Sequence, residues 1–200
     1  MMALGVPVIE GDIDIVRTFM DPAESPVAYH LDALRYWNER RGDRFAPAWT
    51  DLSLMDFPPR VIPMISVTDI IADPLSSTYR FWGTKLTDIH GADFSGKSPA
   101  LVPPVALGIA NTGGCGRLVG DRAPHLEVKE FRNLNGILGR ALVLRLPLSD
   151  DGNTVNHGLN VYYFEPARSD QPMADFFQQV FDKLRDRPPL NPGNEEPRTP

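Results

Sequence analysis

The chain has 200 residues, a formal net charge of −6, 42% hydrophobic residues and one cysteine. This suits one domain with tails; the acidic balance argues against nucleic acid, whose phosphates need a basic face, and a lone cysteine excludes an internal disulfide framework. With neither a signal-type apolar segment nor an 18-residue apolar run, the expectation is a soluble, cytoplasmic protein that does not engage a membrane.

Residues 1–24 show no sustained period and carry Asp12, Asp14, Asp21 and Glu24, which predicts a loosely ordered N-terminal arm. Ser25-Pro26 is a helix start, because serine caps free N–H groups and proline fits the first helical position. That helix should run to about Arg41, with Val27, Leu31, Leu34 and Trp37 near one stripe and Gly42 ending it. Residues 43–60 combine Pro47, Pro58 and Pro59 with Leu52, Leu54, Met55 and Phe57, the composition of a packed connector.

A strand at about 62–71 follows, with Ile65, Val67 and Ile71 opposite Met64, Ser66 and Thr68, and Asp73-Pro74 marks a turn. The next strand pairs with it as a hairpin and opens the stretch TYRFWGTKLTDIHGADFSGKS, residues 78–98. Simple alternation points Tyr79 and Phe81 one way, Arg80 and Trp82 the other. Gly83 ends the strand, Leu86 and Ile89 form a short helical turn, and Gly91 permits a conformation that a Cβ resists.

A helix over about 104–119 is predicted with Val105, Ile109 and Leu118 as contacts, although Gly108, Gly113, Gly114 and Gly116 each weaken it by roughly 1 kcal/mol. Their number points to close backbone packing. Three strands complete the sheet. His125 to Phe131, with Glu127, Lys129 and Glu130, has the pattern of an exposed or edge strand. Arg140 to Leu148 puts Leu142, Leu144, Leu146 and Leu148 on one face against Ala141, Val143 and Arg145, the most buried strand. Val155 to Phe164 alternates Leu159, Val161 and Tyr163 with Asn160, Tyr162 and Phe164. Met173, Phe176, Phe177, Val180, Phe181 and Leu184 then give the clearest helical period, in an amphipathic helix over 169–185, before a proline-rich, disordered tail over 186–200.

Gly91, Gly96, Lys97 and Ser98 match the spacing G-x-x-x-x-G-K-S of a phosphate-cradling loop. The context opposes it. TKLTDIH is too polar for the buried parallel strand that should precede such a loop, Pro103 and Pro104 would break a following helix, and Asp93 would sit inside the cradle.

The pattern YRFWGT, a short turn and GADFSGK resembles the PAS family, in particular bacterial PAS proteins with "GT…G.d.tG" after the second strand. The resemblance extends to LRYWNERRG and LSLMDFPPRVIPMISVTDI and covers roughly residues 27–166. It implies an α+β fold: a five-stranded antiparallel sheet with short helices on one face, flanked by N-terminal and C-terminal helices. The PAS-like domain, with its N-terminal flanking helix, spans 25–168.

The resemblance implies a binding module and not an enzyme. A mainly apolar ligand pocket is expected from Tyr79, Phe81, Leu86, Ile89, Phe94, Leu144, Asn160 and Tyr162. The cofactor stays open, no metal ligands are expected, and the output passes to a homodimer mate or another protein partner. His30, His90, His125 and His157 lack ligand spacing, and His90 alone lies where a PAS pocket opens, as a haem ligand would. Cys115 in GGCGR lacks the N-C-R-F-L-Q context of flavin-photoreceptive PAS domains and reads as an ordinary, part-buried thiol. The alternatives are a nucleotide-binding enzyme using Gly91–Ser98 and a ligand-free PAS dimerisation scaffold with a filled core. Lacking apolar cover for Trp82 and Val143, the face opposite the short helices is expected to bury itself under a terminal helix or a second copy.

Overall fold

A computed structural model of the chain describes residues 14–133, 136–166 and position 175. The expected C-terminal helix (position 175 apart) and tail, and residues 1–13, lie outside the described residues.

Strand β1 (Asp14–Met20) is followed by helix α1 (Ala28–Arg41), the hairpin β2 (Ile65–Ala72) and β3 (Leu75–Trp82), helix α2 (Thr84–His90), helix α3 (Val105–Asp121), and strands β4 (His125–Asn133), β5 (Gly136–Leu148) and β6 (His157–Pro166). The fold is α+β. Its six strands form one antiparallel sheet in the order β1-β4-β5-β6-β2-β3, against the five expected. The sixth is β1, which falls in the segment expected to be a loose arm. It pairs with β4 from Asp14↔Arg132 to Met20↔Leu126. Its acidic neighbours and its mostly half-buried side chains hide the alternation that would have shown it.

Both faces of the sheet are covered. On one, Leu142, Leu144, Leu146 and Leu148 of β5 pack with Leu159 and Val161 of β6, Ile65 and Val67 of β2, and Val27 and Trp37 of α1. Each such leucine, fully buried, contributes about 1.5–3 kcal/mol. The Trp37 indole also donates to the carbonyl of Pro147 at 2.7 Å, tying α1 to the sheet. The expected N-terminal helix therefore folds back onto its own sheet. Ser25 does not cap it through the first-turn amides expected; its hydroxyl accepts from the Val27 N–H and bonds His30 Nδ1 at 2.9 Å.

The other face carries α2 and α3. Tyr79, Trp82, Leu86, Ile89, Phe94, Ala106, Leu107, Ala141, Val143 and Tyr162 share one cluster there. Trp82 and Val143, expected on the bare face, lie instead beneath these helices. Val143 is the register partner of Tyr162 and shares its face, and for Trp82 the reason is a register shift in the hairpin: Val67 pairs with Phe81 but Thr68 pairs with Tyr79, leaving Arg80 as the extra residue of a bulge. Alternation resets across it, so Tyr79 and Trp82 point the same way and Phe81 the other. Gly91, at φ 72, ends α2 in the left-handed region, as the sequence predicts. In α3, Leu118 is buried as expected, but Val105 and Ile109 are each 49% exposed, since the face turned to the sheet is the one of small residues.

Candidate functional site

β4 is not an edge strand. It lies between β1 and β5, and Glu127 and Lys129, expected in water, are 0% and 1% exposed. Their parity on the strand is that of Phe131, so they face α3, while Leu126 and Val128 face α1. Charges alternating with apolar residues signal a wet face only where that face is left open.

From this inversion arises a polar belt that crosses five strands. Arg17 of β1 donates through Nε to Glu127 Oε1 at 2.6 Å, and Arg145 of β5 donates through Nε to Glu127 Oε2 at 2.8 Å. Arg145 Nη1 continues to Asn160 Oδ1 of β6 at 2.9 Å. Asn160 Nδ2 in turn donates to Ser66 Oγ and Thr68 Oγ1 of β2, each at 3.2 Å. Tyr162 meets Ser66 Oγ at 3.2 Å. From above, Asn111 of α3 offers Oδ1 to Lys129 Nζ at 2.5 Å and to Arg145 Nη2 at 3.4 Å.

The glycines of α3 make this approach possible. A Cβ on Gly114 would stand 2.5 Å from Arg145 Cζ and Nε, and one on Gly113 2.9 Å from Arg17 Nη1. The helix backbone rests on guanidinium groups.

The electrostatics follow from burial. Burial alone would raise the pKa of Glu127, but the charges of Lys129, Arg145 and Arg17 outweigh it and hold the carboxyl at about 2. Burial pushes Lys129 down to about 7, against the pull of Glu127. His90, buried beside Trp82 at 5.4 Å between ring centroids, is driven down to about 3 and stays neutral.

Beside the belt lies a cavity of about 10 Å³, walled by Trp82, His90, Leu107, Asn111, Lys129, Phe131, Ala141, Val143, Tyr162 and Phe164. It has room for about one water-sized guest, far less than a porphyrin needs.

Of the expected pocket residues, Tyr79, Leu86, Ile89, Phe94, Asn160 and Tyr162 do come together on this face. Phe81 and Leu144 are a correction: both join the opposite cluster, Phe81 because of the bulge and Leu144 by the parity of β5. The cavity wall is mainly apolar, with Lys129, Asn111 and His90 as its polar members, and of the expected residues Tyr162 belongs to it. Arg17, Asn111, Glu127, Lys129 and Arg145 were missed. One signal pointed to them: an arginine in the middle of the most buried strand, opposite a helix too rich in glycine to fill the space itself.

The Gly91–Ser98 loop follows a helix, not a strand, and its amides are committed. Gly91 donates to Thr87 O, Ser95 to Asp93 Oδ1, Gly96 to Tyr79 O and Lys97 to Phe94 O. Four N–H groups so engaged cannot cradle phosphate. Cys115 is buried, and burial pushes its thiol up, away from reactivity.

A second, open cleft of about 480 Å³ lies at the β2–β3 hairpin and is lined by residues including Asp69, Ser77, Arg80, Asp150 and His157. His157 sits between Asp69 Oδ1 and Asp150 Oδ2, each at 2.8 Å, and Arg80 pairs with Asp69 at 2.6 Å. These groups satisfy one another across the mouth of the cleft. Among the described residues no group of His, Cys, Asp and Glu could hold a metal ion, and no helix is long and apolar enough to cross a membrane.

The chain matches no protein-family model and no curated protein.

Proposed function

We propose that this chain is a non-catalytic, PAS-like sensory or regulatory module of the cytoplasm that takes a small ligand against the inner face of its sheet and signals through a protein partner. The observation that carries this is the buried cluster of Glu127, Lys129 and Arg145, joined at its edge by half-buried Arg17. Replacing a buried ion network by apolar side chains is often neutral or stabilising, so a core under selection for stability alone has little use for one. A site that recognises a ligand does. The order of two strands, helices and three strands agrees with the PAS resemblance, with β1 as an addition at the edge.

Native mass spectrometry and an absorbance spectrum of the purified protein test this proposal. A bound species lost on denaturation is the expected result; a protein that carries nothing and gains nothing from added small ligands overturns it. The smallness of the cavity favours a second reading, a ligand-free interaction scaffold. In either case the partner surface is a homodimer or heterologous contact using the stripe Met173–Leu184. Light scattering on protein truncated after Pro166 should then show loss of assembly, and an unchanged dimer would exclude that stripe.

A further inference from the structure

Charge on the inner face does not balance. Glu127 meets three cations, Arg17 at 2.6 Å, Arg145 at 2.8 Å and Lys129 at 3.7 Å. Arg145 is well satisfied by Glu127, Asn160 and Asn111. Lys129 is not. An ammonium has three donors, one goes to Asn111 Oδ1 at 2.5 Å, and 3.7 Å to Glu127 exceeds hydrogen-bond length. The lysine is 1% exposed and forms part of the cavity wall. On the same wall the buried indole Nε1–H of Trp82 has no hydrogen-bond partner among the described residues. Buried donors left unmade are costly, and a buried cation whose carboxylate partner is shared with two arginines is only partly compensated.

Two residues with donor capacity to spare, one of them cationic, thus line one void among apolar neighbours such as Leu107, Phe131 and Val143. We propose that this cavity is an anion site, filled by a single ion of the halide class held between the Lys129 ammonium and the Trp82 indole N–H. The size of the void selects the class: about 10 Å³ accepts one water-sized guest, and a carboxylate or phosphate has too many heavy atoms. The anion offsets the charge on Lys129 and leaves the remaining excess on Arg17, whose side chain is 23% exposed and reaches solvent. This inference rests on the ligand-binding proposal and narrows its ligand to a monatomic anion.

Crystals of the full chain soaked in sodium bromide test it directly. The expected result is an anomalous bromide peak in the cavity; a water there with no anomalous signal overturns the inference. In solution, the wild type should melt about 5 °C or more higher in sodium chloride at roughly one hundred times Kd than in sodium gluconate of equal ionic strength. Lys129→Met should abolish that difference and Trp82→Phe should reduce it; an undiminished difference in Lys129→Met counts against the site. Should Lys129→Met fail to fold, the bromide peak and Trp82→Phe decide. An organic metabolite retained in native mass spectra, with no bromide in the cavity, removes the halide and leaves the ligand-binding proposal standing. Absence of both removes the two together.

Discussion

Gly114 of α3 lies over Arg145 of β5 so closely that a Cβ on the glycine would stand 2.5 Å from the guanidinium carbon. The arginine cannot step aside, because it is held by Glu127, Asn160 and Asn111. Gly114→Ala should therefore destabilise the protein by about 1–3 kcal/mol, overpacking outweighing the roughly 1 kcal/mol that alanine gains in a helix. Gly120 in the same helix has nothing within 4 Å of its added Cβ. Gly120→Ala should stabilise by roughly 0.5–1 kcal/mol. Urea unfolding of the two variants checks the contrast, and equal effects would refute the account of α3.

Glu127 holds the belt together, being the shared partner of Arg17, Arg145 and Lys129. Glu127→Gln keeps the shape and removes the charge, which strands buried cations. The expected loss is about 3–5 kcal/mol. Denaturant midpoints at neutral pH give the answer, and a loss below about 1 kcal/mol would mean that the belt is better solvated than its burial implies.

The sequence made legible what depends on local pattern. The hairpin, the Gly91 terminus of α2, the leucine face of β5 and the alternation of β6 all emerged as expected, because each is set by neighbours in the chain. Two kinds of feature were not legible. The bulge at Arg80 is a property of pairing with β2, and it moved Phe81 out of the site. The burial of Glu127 and Lys129 needs both β1 at the edge and a glycine-faced helix above, neither of which a window on β4 contains. Tertiary covering reversed the meaning of an alternating charged strand.

Lys97 tests the loop that mimics a phosphate cradle. Its backbone is held by Phe94 and Tyr79, while its ammonium stands 5.3 Å from the Phe94 ring centroid. Such an exposed cation–π contact is worth about 0.5–1 kcal/mol at most. Lys97→Ala should leave stability within about 1 kcal/mol of wild type, and neither protein should bind magnesium-ATP by calorimetry. A nucleotide affinity that disappears in the variant would reinstate the loop as a site.

Acid should unfold the protein through its histidines before it reaches Glu127. Burial, the foremost cause for each, lowers His30 to about 4 and His90 and His125 to about 3, with Lys129 adding to the effect on His90 and Arg145 on His125. A base depressed in the native state binds its proton first in the unfolded chain. Stability is therefore intact above the ordinary histidine pKa of about 6.5 and falls as pH drops from there toward 4. Each histidine contributes a slope of roughly 1.4 kcal/mol per pH unit, so the three together give about 4. The Glu127 contribution has the same sign but a lower window, from the ordinary carboxyl range of about 4.3 down to about 2. His125 separates the effects, because its buried ring has only the Ala123 backbone as a weak polar neighbour and packs on Phe19 at 5.5 Å. His125→Phe replaces a poorly satisfied polar ring by an apolar one of similar shape, a change expected to be close to neutral at pH 7. Between pH 6 and 4 it should also flatten the loss of stability by about one proton's worth, near 1.4 kcal/mol per unit. Urea midpoints for wild type and variant at pH 7, 6, 5 and 4 measure this, and parallel curves would show that His125 is not the buried neutral base its surroundings require.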